Sequence, residues 1–144
     1  MSNMIQLSKR LNAVAELLVH GIDQLELEQP VLADIGTDHA YLPVYLVQKK
    51  VVKKAYAADV RKGPLLHAKE HIEQYGLGEY IQTRLSDGGE SFVPGESEVA
   101  VIAGMGGGLM QKILSGSPEF FEKNSCVVLQ PQSEICLLYT SPSP

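Results

Sequence analysis

The sequence predicts an α/β fold with a doubly wound, mainly parallel sheet. Three observations predict it. Short apolar runs alternate with longer stretches of helical periodicity. The runs end in carboxylates or glycines and not in tight hairpin turns. Apolar residues make up 44% of the 144, enough for the core of one domain.

Leu7, Leu11, Val14, Ala15 and Leu18 recur at helical spacing, which predicts an amphipathic helix over 8–19. Gly21 to Pro30 reads as an acidic connector. A first strand follows over 31–35, a helix over 40–49 and a second strand over 55–59. Gly63-Pro64 opens the next helix with proline in its first turn. Gly76 closes it at the position that favours a left-handed residue, and Ile72 can meet Leu77 across that cap. Further strands are expected over 81–85, 99–103 and 126–129, with a short helix over 107–114. Beyond Gln130-Pro131 the text "QSEICLLYTSPSP" shows no helix or strand pattern. Residues 1–131 therefore read as one domain, and 132–144 as an irregular tail, from a fragment or a non-native join. The sheet is expected to be truncated after its fifth strand.

The formal net charge of −5 argues against a broad basic face that grips nucleic acid by charge alone. Lys49, Lys50, Lys53 and Lys54 form the dense basic cluster, read mainly as a solvated helix end that complements the dipole. Cys126 and Cys136 lack ligand-like spacing, so neither a disulfide framework nor a zinc site is expected, and a reducing cytoplasm is. The N-terminal segment has no long apolar run, so no signal peptide or membrane span is expected. A monomer is favoured.

Candidate chemistry gathers at the predicted strand ends, where open parallel sheets bind ligands. In "VLADIGTDHAYLP" a strand ends at Asp34-Ile35, Gly36 turns the chain, and Thr37, Asp38 and His39 form a loop before the helix. A dinucleotide fingerprint would have a second glycine where Asp38 stands and a third where Tyr41 stands. A pyrophosphate there would meet a like charge, whereas a cationic, phosphate-free ligand such as S-adenosylmethionine would be attracted. Asp59, with Val60 beside it, ends the second strand where an acid bonds ribose hydroxyls. Asp87 and Gly88 end the third, where a carboxylate could accept from an adenine amino group. At the fourth, Ala103, Gly104 and Met105 leave space beside a methyl donor and offer carbonyl oxygens and an apolar wall. Asp38 can also be read as a helix cap or loop brace, and His39 as a loop hydrogen bond. His67, Glu70 and His71 match H-x-x-E-H, but a solvated helix face is expected there and not a metal.

"LSKRLNAVAELL", "ADIGTDHAYLPVYLV", "AADVRKGPLLHAKEHIEQYGL", "RLSDG" and "VIAGMGGGLMQKIL" together resemble the bacterial tRNA adenine-22 N1-methyltransferase family of the TrmK type, from about Leu7 to Pro131. The resemblance implies a class I, Rossmann-like methyltransferase that uses S-adenosylmethionine to methylate a tRNA adenine at ring N1, with no membrane or metal partner. It implies cofactor contacts by Asp34, Gly36, Thr37, Asp38, His39, Asp59, Val60, Asp87, Gly88, Ala103 and Gly104. The catalytic candidates are Asp38, His39, Gly104 and Met105. It also implies that Arg10 faces the active site, where it would hold a substrate phosphate or the cofactor carboxylate. The family carries a further helical C-terminal region, from which this chain departs after Pro131. Two alternatives stand beside this one: a methyltransferase of the same fold acting on a small molecule or protein, and a cofactor-binding RNA-interaction module without turnover.

Overall fold

The computed structural model describes residues 4–132 and 137–140. In chain order the elements are α1 (Lys9–Gln24), β1 (Val31–Ile35), α2 (Tyr41–Gln48), β2 (Lys54–Asp59), α3 (Lys62–Gln74), β3 (Ile81–Leu85), β4 (Val99–Met105), α4 (Gly107–Gly116), α5 (Pro118–Lys123), β5 (Cys126–Pro131) and β6 (Leu137–Thr140). The strands make one sheet in the order β3-β2-β1-β4-β5-β6. β1 to β5 are parallel, as expected. β6 is an addition: it runs antiparallel to β5, inside the stretch read as irregular. Cys136 and the rest of that stretch beyond Gln132 lie outside the described residues.

Side-chain alternation along the strands makes two cores. Leu32, Ala55, Ala57, Val99, Val101 and Val128 face α1, α2 and α3. Ala33, Ile35, Ala58, Ala100, Ile102 and Val127 face α4, α5 and Phe92. With helices on both faces, β1 and β4 are nearly continuous runs of buried residues, the pattern of a covered parallel sheet.

Local chemistry sets the helix ends. Ser8 caps α1, its Oγ accepting the Leu11 N–H at 3.2 Å. α1 continues to Gln24, past the expected 19, because Gly21 and Ile22 extend its buried stripe. α3 ends as expected: Gly76 is left-handed (φ 69°), and the N–H groups of Gly76 and Leu77 donate to the carbonyls of Glu73 and Ile72, each at 3.0 Å. α5 was not anticipated. It is too short to show periodicity, but Pro118 opens it and it buries Phe120 and Phe121.

Edge strand β3 is tied to the approach to β4 by an ion pair. Arg84 gives two hydrogen bonds to the Glu96 carboxylate, both 2.7 Å, while its guanidinium lies 4.4 Å from the Tyr56 ring centre and 4.6 Å from that of Phe92. The hydrogen bonds from Arg84 hold the Glu96 carboxyl below its ordinary range. A lysine cannot supply both the fork and the stack. Arg84→Lys is expected to lower stability by about 1–3 kcal/mol in urea unfolding at neutral pH. A carboxyl depressed in the folded state stabilises above its unfolded pKa and loses that contribution as pH falls through the folded one. The difference between the parent and Arg84→Lys should therefore shrink in acid, and a constant difference would show that charge plays no part.

Candidate functional site

The strand order reverses between β1 and β4, which opens a crevice at their carboxyl ends. A cavity of about 700 Å³ fills it, lined from the ends of β1, β2, β3 and β4 and by Arg10 of α1.

The turn after β1 is the most constrained part. Gly36 has φ 77°, and the N–H groups of Gly36 and Thr37 both donate to the Ala58 carbonyl at 2.8 Å. A Cβ on Gly36 would push the end of the Met105 side chain aside, and the left-handed φ strains any other residue there, so glycine is favoured. Asp38 and the fully buried Ala40 are also left-handed, at φ 59° and 61°. For alanine that conformation costs roughly 1–2 kcal/mol, which the surrounding packing must offset. Ala40 occupies the N-cap of α2 without a side-chain cap, so Asp38 does not cap that helix.

Four acids line the cavity: Asp34, Asp38, Asp59 and Asp87. Asp34 is buried and accepts from Thr37 Oγ at 2.8 Å. Asp59 is buried too; its Oδ1 accepts the Arg61 N–H at 3.0 Å and its Oδ2 the Asp38 N–H at 3.4 Å. Asp38 and Asp87 are exposed. Two cations face these acids. Arg61 Nε lies 3.6 Å from Asp59. Arg10 makes no ion pair among the described residues, and its Nη2 stands 3.8 Å from where a Cβ on Gly104 would lie.

Gly36, Thr37, Val60, Gly88, Ala103, Gly104 and Met105 also line the cavity. Val60 is 58% exposed, an apolar surface open to a ligand.

His39 lies apart from these residues. Its ring is not part of the lining. It turns out of the loop onto α3, with ring centres 5.3 Å from Tyr41, 5.2 Å from His67 and 5.4 Å from His71. His71 Nδ1 donates to the His39 carbonyl at 2.9 Å, which fixes the loop to α3. His67 and His71 are therefore a packing surface for the loop as well as a helix face. The planes of His39 and His67 are 17° from parallel, so their in-plane lone pairs do not converge on one ion. Among the described residues no group of three His, Cys, Asp or Glu side chains could hold a metal.

Sequence reasoning missed Tyr41, Arg61 and Leu109 in the lining. It also missed Gln130, whose Oε1 accepts the Gly104 N–H at 3.1 Å. The available signal was a polar residue inside the apolar run "CVVLQP".

Burial raises the Asp34 carboxyl to about 7, against the lowering bond from Thr37 and with added repulsion from Asp59 and Asp38. The folded state thus keeps a proton that the unfolded chain gives up near pH 4. That contribution is whole below the unfolded pKa and is lost as pH rises through about 7. Asp34→Asn cannot ionise and can still accept from Thr37. It should gain stability over the parent on going from about pH 5 to about pH 8, by on the order of 2–4 kcal/mol. Thermal unfolding across that range checks it, and a difference independent of pH would show that Asp34 does not titrate there.

Residues 7–140 match the family described as "Methyltransferase domain". The tRNA (adenine(22)-N(1))-methyltransferase of Bacillus subtilis (strain 168) is 40% identical over 129 residues, covering 90% of this chain and 51% of its own length. The crystal structure of the B. subtilis m1A22 tRNA methyltransferase TrmK aligns with a TM-score of 0.78 over 88% of this chain and 51% of that one, at 40% identity. A putative tRNA (m1A22) methyltransferase of Streptococcus pneumoniae, in complex with S-adenosyl-L-methionine, aligns with a TM-score of 0.77 over 88% of this chain and 56% of that one, at 37% identity. This chain spans about half the length of the curated relatives it matches. With the sheet, the crevice and the family match in agreement, the chain belongs to the methyltransferase-domain family.

Proposed function

We propose that the chain is the cofactor-binding, catalytic part of an S-adenosylmethionine-dependent tRNA (adenine-N1)-methyltransferase working in the cytoplasm. The observation that carries this reading is the charge layout of the crevice. Acids from three strand ends and the first loop face it, and Arg10 stands unpaired beside Gly104. That layout repels phosphate and suits a ligand with a sulfonium, an ammonium and one carboxylate.

The residues divide the ligand between them. Asp59 has carboxylate lone pairs beyond those used by Arg61 and Asp38, and it would accept from ribose hydroxyls. Val60 would lie against the adenine face, and Asp87 would accept from its amino group. Arg10 would take the carboxylate. Asp34 and Thr37 support the loop from beneath, and Asp38 adds negative charge at its mouth.

S-adenosylmethionine supplies a methyl already activated by its sulfonium, which adenine N1 accepts through a free lone pair as the carbon–sulfur bond breaks. N1 needs no base beforehand, so the protein's task is alignment and stabilisation of the positive charge gained by the ring. The Gly104 carbonyl is suited to that, and Met105 closes the wall. His39 supports the loop and is not assigned a catalytic role. Transfer of a labelled methyl group from S-adenosylmethionine to an unmodified tRNA transcript, mapped to an adenine N1, tests the reading. Methylation of a protein or small molecule instead, or binding without turnover, would replace it.

Two measurements test the site. Asp59→Ala should weaken S-adenosylmethionine binding by about 1.5–3 kcal/mol in calorimetry, since it removes a charged acceptor. The same change frees the Asp38 N–H, so folding must be checked alongside; a folded variant with parent affinity would remove Asp59 from the site. Asp38→Asn keeps size and removes charge. It should weaken S-adenosylmethionine more than S-adenosylhomocysteine, which lacks the sulfonium. Equal losses would place Asp38 on the shared ammonium, and no loss would leave it a loop residue.

Binding of tRNA by this chain alone should be weak and strongly salt-dependent, because its net charge is −5. Filter binding across salt concentrations checks this; tight binding at physiological salt would show that this part suffices for docking.

A further inference from the structure

Gln130 occupies a core position in β5. It follows Cys126 and Val128 in the alternation toward α1, α2 and α3, and it is 1% exposed. An apolar side chain would fill that place and leave no polar atom to satisfy. Both ends of its amide are instead engaged. Oε1 accepts the Gly104 N–H at 3.1 Å, and Nε2 donates to the Pro131 carbonyl at 2.8 Å. The second bond fixes the direction of the first: with its donor end tied to β5, the amide presents only its acceptor to β4.

The group it holds needs holding. Gly104 has φ 74°, and glycine occupies left- and right-handed backbone about equally well. Nothing intrinsic therefore chooses one orientation of the Ala103–Gly104 peptide. No peptide bond among the described residues is cis, so the Gly104 N–H and the Ala103 carbonyl point in opposite directions. Anchoring the N–H on Gln130 turns the Ala103 carbonyl away from Gln130. Ala103 and Gly104 both line the cavity.

We propose that Gln130 is a positioning residue: it locks the Ala103–Gly104 peptide so that the Ala103 carbonyl accepts a hydrogen bond from the α-ammonium of the ligand. A sulfonium has no N–H to give, so the ammonium is the cation a carbonyl can serve. The proposal rests on the cofactor reading above and adds the residue that orients the acceptor.

The test uses the full chain, titrated by calorimetry with S-adenosylmethionine and with S-adenosylhomocysteine, and hydrogen exchange of the Gly104 amide followed by NMR. Gln130→Met keeps the volume and removes the acceptor; Gln130→Glu keeps an acceptor oxygen. The methionine variant should fold, lose roughly tenfold in affinity for both ligands alike and expose the Gly104 amide to faster exchange. The glutamate variant, titrated at a pH acid enough to keep its carboxyl protonated, has both an acceptor for Gly104 and a donor for Pro131 and should recover most of both. A folded methionine variant with parent affinity, or with a still-protected Gly104 amide, overturns the proposal. If the parent binds neither ligand, the cofactor reading fails by itself, and Gly104 exchange, which needs no ligand, decides whether Gln130 is the lock. Should the methionine variant not fold, Gln130→Asn withdraws the acceptor on a shorter side chain and gives the same pair of readings.

Discussion

One carbonyl holds the site in place. Ala58 O accepts from Gly36 and Thr37 N–H groups at once, both at 2.8 Å, and so ties the first loop to the neighbouring strand. Everything near the crevice follows from that tie. It sets the left-handed turn at Gly36 over which Met105 packs, and it brings Thr37 Oγ onto Asp34. It also carries Asp38 N–H to the Asp59 carboxylate, which joins the ends of β1 and β2 a second time. The loop can then bear left-handed Asp38 and Ala40, because both flanks are fixed.

That fixed loop gathers charges that oppose one another. Burial raises the Asp34 carboxyl, and Asp59 and Asp38 are close enough to raise it further. A fold selected for stability alone would not place buried carboxylates side by side at two strand ends. A cation in the crevice would relieve the repulsion. The remainder of the fold supplies what this arrangement withholds: two continuous apolar cores and the Arg84–Glu96 fork.

Most of the architecture was legible because parallel strands buried on both faces read as apolar runs, and because acids and glycines mark where the runs end. Asp59 and Gly36 were found that way. What was hidden depends on contacts distant in sequence. The direction of the His39 ring is set by α3, 32 residues on at His71, and no property of the loop alone reveals it. Gln130 reaches Gly104 across 26 residues and reads as ordinary polarity near a strand end. α5 is six residues long, too short for a period, and it was visible only through Pro118 and its pair of phenylalanines. β6 follows a text with no alternation and is identified by its pairing to β5.

The strict alternation along β2 has a consequence for how such chains diverge. Ala55 and Ala57 face one core, Tyr56 and Ala58 the other, and Asp59 stands at the end of that count. Removing or adding one residue inside the strand would exchange the faces of all that follow it. The Asp59 carboxylate would leave the crevice, and the Ala58 carbonyl would no longer meet Gly36. Strand length therefore shapes the candidate site as firmly as the identity of any acid in it. Related chains also meet constraint between Glu90 and Gly95, where Phe92 is buried in the second core and the Ser91 N–H donates to Ser86 Oγ at the cavity. Within β1, β2 and β4 their evolution must proceed by replacement alone.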